Sequence, residues 1–365
     1  MVDDLDRLNT SEIRDIFRLV RLTANFPNIV YLLAFDRGRV EAALAEQGIP
    51  GRDYLEKILQ VGLDIPIVPV NTLTTQVLHA IDRALSDIDN KGPFDEGSWP
   101  DVFMEVIRPL FRNMRDVRRY AAAIHGSVQA LEGRIALTDV LALEAIRVFL
   151  PDVFGQLSSA LDALTTTSDP GYRSSNTGEV LKQQVNALLQ AAGPRAEIVR
   201  ALIERAFPAA QRHIGGSHFG DDWKRQWLRD RRVAHEDIFR FYLERVIGEK
   251  LQTFADAEQA WAEMGDATGF ATFLRSLDSS RLRDVIGSLE IHEDEFRPEQ
   301  VVPASAVLLN LSPELPEAQG GMFDFGSRFV VKRVVYRLVR SLKSPGAIEG
   351  AVREILRRLN TSRAS

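Results

Sequence analysis

The stretch that decides the fold is Met1–Arg37, MVDDLDRLNTSEIRDIFRLVRLTANFPNIVYLLAFDR. Val2-Asp3-Asp4 is an apolar residue running into two carboxylates, as at the carboxyl end of a strand. A phosphate-handling sheet places a magnesium ligand and a water-orienting acid there. Asn9, with Glu12 three residues on, predicts a capping box. Ile13, Ile16, Phe17 and Val20 give the helix that follows one apolar stripe. Phe26-Pro27 stops it, because the residue before a proline is pushed out of the helical region. Ile29 to Phe35 is an unbroken apolar run, expected to be a strand covered on both faces, and Asp36 closes it. Strand, helix and strand make a βαβ unit with its acids at the carboxyl ends, where α/β sheets bind ligands.

Working outward, residues 38–60 read as helical, broken by Gly48-Ile49-Pro50-Gly51. Ile65–Val70 is a short β-branched run, expected to be a third strand at a sheet edge because of its two prolines. Beyond it the chain is a series of amphipathic helices to Leu164. Thr165–Gly178, TTTSDPGYRSSNTG, is turn-rich and reads as a linker. A second helical region follows, with Phe329–Leu342 as a final basic amphipathic helix. No repeat of fixed period occurs. The expected fold class is mainly α, with a remnant α/β sheet of two to three strands in residues 1–71. A helical segment at 72–164, the linker at 165–178 and a helical C-terminal domain at 179–365 complete it.

Composition sets limits on function. A chain of 365 residues suggests two or three domains. With 45 basic and 51 acidic residues the formal charge is −6, which argues against a nucleic-acid partner except through a local basic patch. The absence of cysteine excludes disulfides, thiolate catalysis and cysteine-ligated zinc or iron–sulfur sites. That suits a reducing cytoplasm, the expected location. The acidic start carries no signal-peptide pattern. Neither long uncharged stretch, 22–35 or 65–81, reads as a spanning helix.

Four blocks carry a family resemblance. Asp3-Asp4-Leu5-Asp6-Arg7, with its helix and the run Leu33-Ala34-Phe35-Asp36-Arg37, resembles the Walker B motif and next strand of KAP-family P-loop NTPases. Asp53-Tyr54-Leu55-Glu56-Lys57-Ile58 with Asp64-Ile65-Pro66, then Asn113-Met114-Arg115-Asp116-Val117-Arg118-Arg119, then Leu141–Arg147, follow in the family's order. The resemblance implies an AAA-like core that binds ATP and Mg²⁺, with 72–164 as its helical lid. It implies coupling of ATP binding or hydrolysis to a conformational signal, in phage exclusion or membrane-associated assembly.

By this resemblance Asp3 holds Mg²⁺ through water, Asp4 orients the attacking water, and Asp36 senses the γ-phosphate. Arg115 and Arg119, with Arg118 beside them, bring the lid's positive charge to the nucleotide. Asp6 and Arg7 either pair locally or reach a neighbouring subunit's nucleotide. Plainer readings stand beside these: turn acids for Asp3 and Asp4, a helix cap for Asp36, and a solvated basic face for the arginines.

The chain also departs from the family. G-x-x-x-x-G-K-[ST], the loop that holds the phosphates, occurs nowhere in it. The sequence therefore reads as the carboxyl-terminal part of a longer NTPase, or a shortened paralogue. Alone it is expected neither to hydrolyse ATP nor to bind ATP and Mg²⁺ tightly. Its expected partner is the P-loop segment, or a protein, that completes the sheet, and homo-oligomers follow by analogy. Membrane association would come only through upstream segments. The alternative is a non-enzymatic helical interaction protein that keeps the architecture.

Two basic segments have two readings each. Lys224, Arg225, Arg229, Arg231 and Arg232, with Trp223 and Trp227, resemble a nucleic-acid surface. Interleaved acids favour an amphipathic helix with two core tryptophans. The final helix has Phe329, Val330, Val334 and Leu338 on one stripe, fitting a membrane-surface helix or, the simpler reading, a core helix with a basic outer face. The six histidines have no metal-binding spacing, and no G-x-S-x-G elbow occurs.

Overall fold

The computed structural model describes residues 1–23, 26–45, 48–66, 68–167, 175–315 and 327–362. The chain divides into two compact units, Met1–Val68 and Pro69–Ser365.

In the first unit the capping box forms as the sequence requires. The Asn9 amide donates to Glu12 Oε2 and the Glu12 amide to Asn9 Oδ1, both at 2.9 Å. Helix α1 (Thr10–Thr23) buries Ile13, Phe17 and Val20. They pack with Leu5, with Val40, Ala43 and Leu44 of α2 (Arg37–Leu44), and with Leu55 of α3 (Gly51–Glu56). Phe17 meets Phe35 edge-on, ring centres 5.7 Å apart. Arg14 ties α1 to the end of α2 by donating to the Ala43 and Ala45 carbonyls, each at 3.0 Å. Gly51 is needed where α3 starts, since a Cβ there would lie 1.8 Å from the Glu41 carbonyl oxygen.

The expected α/β sheet is not present among the described residues. Its traces are isolated bridges: a parallel one between Val2 and Leu33, and another at Ile49. The Val2 amide donates to the Leu32 carbonyl at 2.8 Å and the Ala34 amide to the Val2 carbonyl at 2.9 Å. A single bridge cannot cover both faces of an apolar run. Ile29, Val30, Tyr31 and Leu32 are exposed, Val30 to 91%, and only Leu33 and Phe35 turn toward the core. The third expected strand, Ile65–Val70, is also not one. Residue 67 lies outside the described residues, Ile65 is exposed, and Val70 already begins a helix.

The regular structure among the described residues of the second unit is helical, joined by turns and coil. It begins with α4 (Val70–Ala84), α5 (Trp99–Asp101) running into a π-helical turn at Val102–Ile107, α6 (Met114–Leu131) and α7 (Leu137–Phe149). Next are α8 (Pro151–Gln156), α9 (Leu161–Thr165), α10 (Ser175–Ala192), α11 (Ala196–Ala206), α12 (Asp222–Arg229) and α13 (Glu236–Glu244). Then come α14 (Glu249–Glu263), α15 (Ala267–Ser276), α16 (Ser279–Ser288), α17 (Pro298–Leu311), α18 (Ser327–Arg340) and α19 (Pro345–Ser362). Thus α18 is not the final helix, as its basic composition had suggested. Of the expected linker, residues 168–174 lie outside the described residues; Thr165 ends α9 and α10 starts at Ser175.

Helix α7 is the central element of its neighbourhood. Every residue from Leu137 to Ile146 is buried, as expected of a helix enclosed on all sides. It packs against α6, α8 and the π-helical turn. A second core gathers Phe270, Leu274, Val285, Ile286, Leu308, Val334 and Leu338 from α15 to α18.

Candidate functional site

The Val2–Leu33 bridge is what positions the acids of the first unit. Two parallel extended segments, paired at one residue, carry Asp3 and Asp4 just past one end and Asp36 just past the other. Asp4 adopts a left-handed conformation, φ 56°, and its amide donates to Asp3 Oδ1 at 2.8 Å. The Asp36 amide donates to Asp6 Oδ1 at 3.3 Å, joining the two segment ends. Asp36 Oδ1 accepts from the Arg39 amide at 2.9 Å and caps α2, so the capping role weighed in the sequence is realised. Arg7 pairs with Asp4 at 3.1 Å rather than with Asp6, with both side chains at least half exposed. Such a pair contributes at most about 1 kcal/mol.

Asp3, Asp4 and Asp36 are exposed and Asp6 is half-buried, with Arg7 paired to Asp4. Mg²⁺ typically takes one or two protein carboxylates and completes its shell with water and phosphate oxygens. Asp3 and Asp4 match that carboxylate share and no more. Among the described residues no group of three or more His, Asp or Glu side chains is placed to hold a metal by itself.

The arginines of the second unit separate into two kinds. Asn113 Oδ1 accepts from the Asp116 amide at 3.0 Å and starts α6; Asp116 Oδ2 accepts from the Arg112 amide at 3.0 Å. Arg115 and Arg118 project from this first turn, exposed and without an ion-pair partner among the described residues. Arg119 instead donates to the Val148 carbonyl at 3.2 Å and lies over the Phe149 ring at 5.8 Å. Arg195 donates to the Phe149 carbonyl at 3.3 Å. Two cations thus serve the carbonyl end of α7, where the helix dipole favours them. That interaction gives Arg119 a structural partner, while Arg115 keeps its guanidinium open to solvent.

The other basic segments converge on the acidic turn Leu289–Glu295. Arg225 of α12 reaches Glu293 at 2.9 Å and Arg229 reaches Glu295 at 3.4 Å. Arg333 of α18 reaches Glu290 at 2.5 Å, and Arg337 reaches Glu290 and Glu293. Trp227 is buried, but Trp223 is 49% exposed and stacks edge-on with Phe219, so only one of the two expected core tryptophans is in the core. The α18 stripe is displaced too: Val331, Val334 and Leu338 are buried, whereas Phe329 faces outward.

Sequence reasoning missed the buried charges of α7. Asp139 Oδ2 accepts from Arg232 Nε at 2.7 Å and from the Val233 amide at 2.9 Å. Glu144, fully buried, accepts from Arg147 Nε at 2.6 Å, the Tyr242 hydroxyl at 2.9 Å and Arg245 at 3.4 Å. Burial and the adjacent Glu144 push the Tyr242 hydroxyl well above its ordinary value. The signal was present as two acids, DVLALE, inside a mostly apolar helix.

Comparison with known proteins shows what part of the chain is similar to. Residues 1–129 match the family described as KAP family P-loop domain. The chain is 26% identical over 160 residues to the phage T7 exclusion protein of Escherichia coli strain K12, covering 42% of this chain and 21% of that protein. The chain therefore spans about a fifth of the length of the curated relative it matches. No solved structure matches.

Proposed function

Taking residues 1–129 as KAP-like P-loop sequence, we propose that this chain is the responding part of a nucleotide-dependent switch. In it, nucleotide state is read by the Asp3–Asp4–Asp36 end, with Arg115 a separate candidate carried by the resemblance alone. The observation that carries this is the parallel Val2–Leu33 bridge. Asp3 follows one bridged residue, Asp36 lies three residues past the other, and the Asp36 amide donates to Asp6 Oδ1, which supports the reading. ATP with Mg²⁺ would supply the phosphoryl chemistry. Asp3 would contribute a carboxylate toward the metal, Asp4 a hydrogen-bond acceptor for water, and Arg115 a cation toward the phosphates.

The sequence has no lysine-bearing phosphate loop, so we assign no hydrolysis to residues 1–365 alone. The loop would be supplied by another polypeptide segment or a partner, and the exposed run Ile29–Leu32 is where such a neighbour would lie. By its relative's printed role, phage exclusion is the proposed setting.

The test is ATP turnover by the protein purified from its native source, compared with Asp4→Asn and Arg115→Ala. Turnover lost in Asp4→Asn supports the reading. No turnover, with no nucleotide effect on melting, overturns it. The second reading, a non-enzymatic helical interaction protein, is favoured by the missing phosphate loop. Partner binding unchanged by ATP and by Asp4→Asn would select it.

A further inference from the structure

We propose that the outer face of α18 is a docking surface for an anionic lipid bilayer. The helix puts Val331, Val334 and Leu338 into the core, so the opposite side faces solvent. Phe329, Lys332, Tyr336 and Arg340 fall within about a quarter turn of one another at the spacing of an α-helix. All four are exposed, with Tyr336 at 61%. Arg328 beside Phe329 and Lys343 just past the helix end are exposed as well. The helix, SRFVVKRVVYRLVR, contains no acid.

The structure divides the cations of this helix into two sets. Arg333 and Arg337 are held by Glu290 and Glu293. Arg328, Lys332 and Lys343 have no ion-pair partner among the described residues. Arg340 donates to the Tyr336 hydroxyl at 3.1 Å and lies 5.9 Å from that ring, which fixes the ring on the surface. What remains outward is the cations Arg328, Lys332 and Lys343 beside the Tyr336–Arg340 pair.

Aromatic rings with a polar tip settle at the headgroup level of a bilayer. Cations on the same line meet the negative surface potential of anionic lipid. Because the apolar face of α18 is already buried within the protein, attachment would be shallow and mainly electrostatic. It would therefore be sensitive to salt. Phe329 and Tyr336 stand two turns apart along one line, which suits a planar interface better than a platform for stacking neighbouring bases.

The experiment is co-sedimentation of the full chain with phosphatidylcholine vesicles and with vesicles in which part of the lipid is phosphatidylserine. Binding is expected only to the second, weakening as salt rises. The variant Lys332→Glu/Tyr336→Ser/Lys343→Glu should bind about tenfold or more weakly. The milder Lys332→Gln/Lys343→Gln, which removes only solvent-facing charge, should lose part of the binding with an unchanged melting curve. Lys182→Glu/Lys250→Glu, two exposed reversals elsewhere, should bind normally. Equal binding to both vesicles, no binding, or equal loss in the control variant overturns the proposal. So does binding of a single-stranded oligonucleotide with the same variant dependence, which would assign the face to nucleic acid.

Discussion

Arg232 Nε lies 2.7 Å from Asp139 Oδ2, joining α7 to the turn ahead of α13 across 93 residues of sequence. Asp139 is 1% exposed and Arg232 17%, and the carboxylate also accepts the Val233 amide. The proximity of Asp139 outweighs burial and raises the Arg232 guanidinium above its ordinary value. Removing one partner of a buried pair leaves the other charge uncompensated. Asp139→Ala should therefore cost about 3–5 kcal/mol, read as a fall in the urea midpoint of the second unit. A change below about 1 kcal/mol would mean water already reaches the pair.

The histidines set an acid limit. Burial lowers His292, more than Glu295 raises it and with Arg229 adding to the lowering. Its ring is 3% exposed and stacks on Trp261 at 4.9 Å, and neither ring nitrogen has a hydrogen-bond partner among the described residues. Burial lowers His235 as well, and its neutral Nδ1 accepts the Asp237 amide at the start of α13. In both, the folded form binds protons less readily than the unfolded form, whose value is near 6.5. Their stabilisation is complete above about pH 6.5 and is lost as pH falls toward the folded values. The melting temperature should drop as pH falls below about 6.5, and His292→Phe should flatten part of that drop. An unchanged slope in that variant would remove His292 from the account.

Gly51 gives a sharp local test. Any side chain at this position meets the Glu41 carbonyl, and the obstructing atom is backbone that cannot rotate aside. Gly51→Ala should cost about 1–3 kcal/mol by forcing α2 and α3 apart. It should raise limited-proteolysis cleavage within residues 1–68 and leave the second unit's melting unchanged. Unaltered cleavage would show that the two helices can separate at little cost.

How much of this was legible depends on how local the signal was. The Asn9–Glu12 capping box, the α1 stripe and the break at Gly48–Gly51 are set by residues within four positions of one another. Each is found where the sequence puts it. The sheet was misread because an apolar run such as Ile29–Phe35 identifies a strand only if other strands exist to flank it. Here only isolated single-residue bridges form among the described residues. Of the candidate site, Asp36 as a helix cap was foreseen as an alternative. The commitment of Arg119 to α7 was not, because its partner carbonyl is 29 residues away. Asp139 and Glu144 were hidden for the same reason, their cationic partners Arg232 and Arg245 lying 93 and 101 residues downstream.

Arg115 and Arg119 of α6 should behave differently. Arg119→Ala removes a donor and a cation from the α7 carbonyl end and should cost about 0.3–1 kcal/mol. Arg115→Ala, exposed and without an ion-pair partner among the described residues, should change stability by less than about 0.5 kcal/mol. If the nucleotide reading is right, only Arg115→Ala should alter an ATP-dependent change in melting or turnover. Equal effects of both variants on the nucleotide response would return Arg119 to the site and contradict its purely structural assignment.

The exposed run at 29–32 makes the last prediction. Val30 and Leu32 are 91% and 59% exposed on a segment whose backbone pairs at one bridge only. Unpaired extended backbone with apolar side chains is a template for association. Light scattering of the purified chain should show concentration-dependent self-association. Val30→Lys/Leu32→Lys should suppress it, since charge on an exposed strand opposes pairing, and should leave the helical circular dichroism intact because neither side chain is in the core. A wild-type chain that stays monodisperse and monomeric at high concentration would show that this edge is covered from within, and the search for a neighbour to it would end.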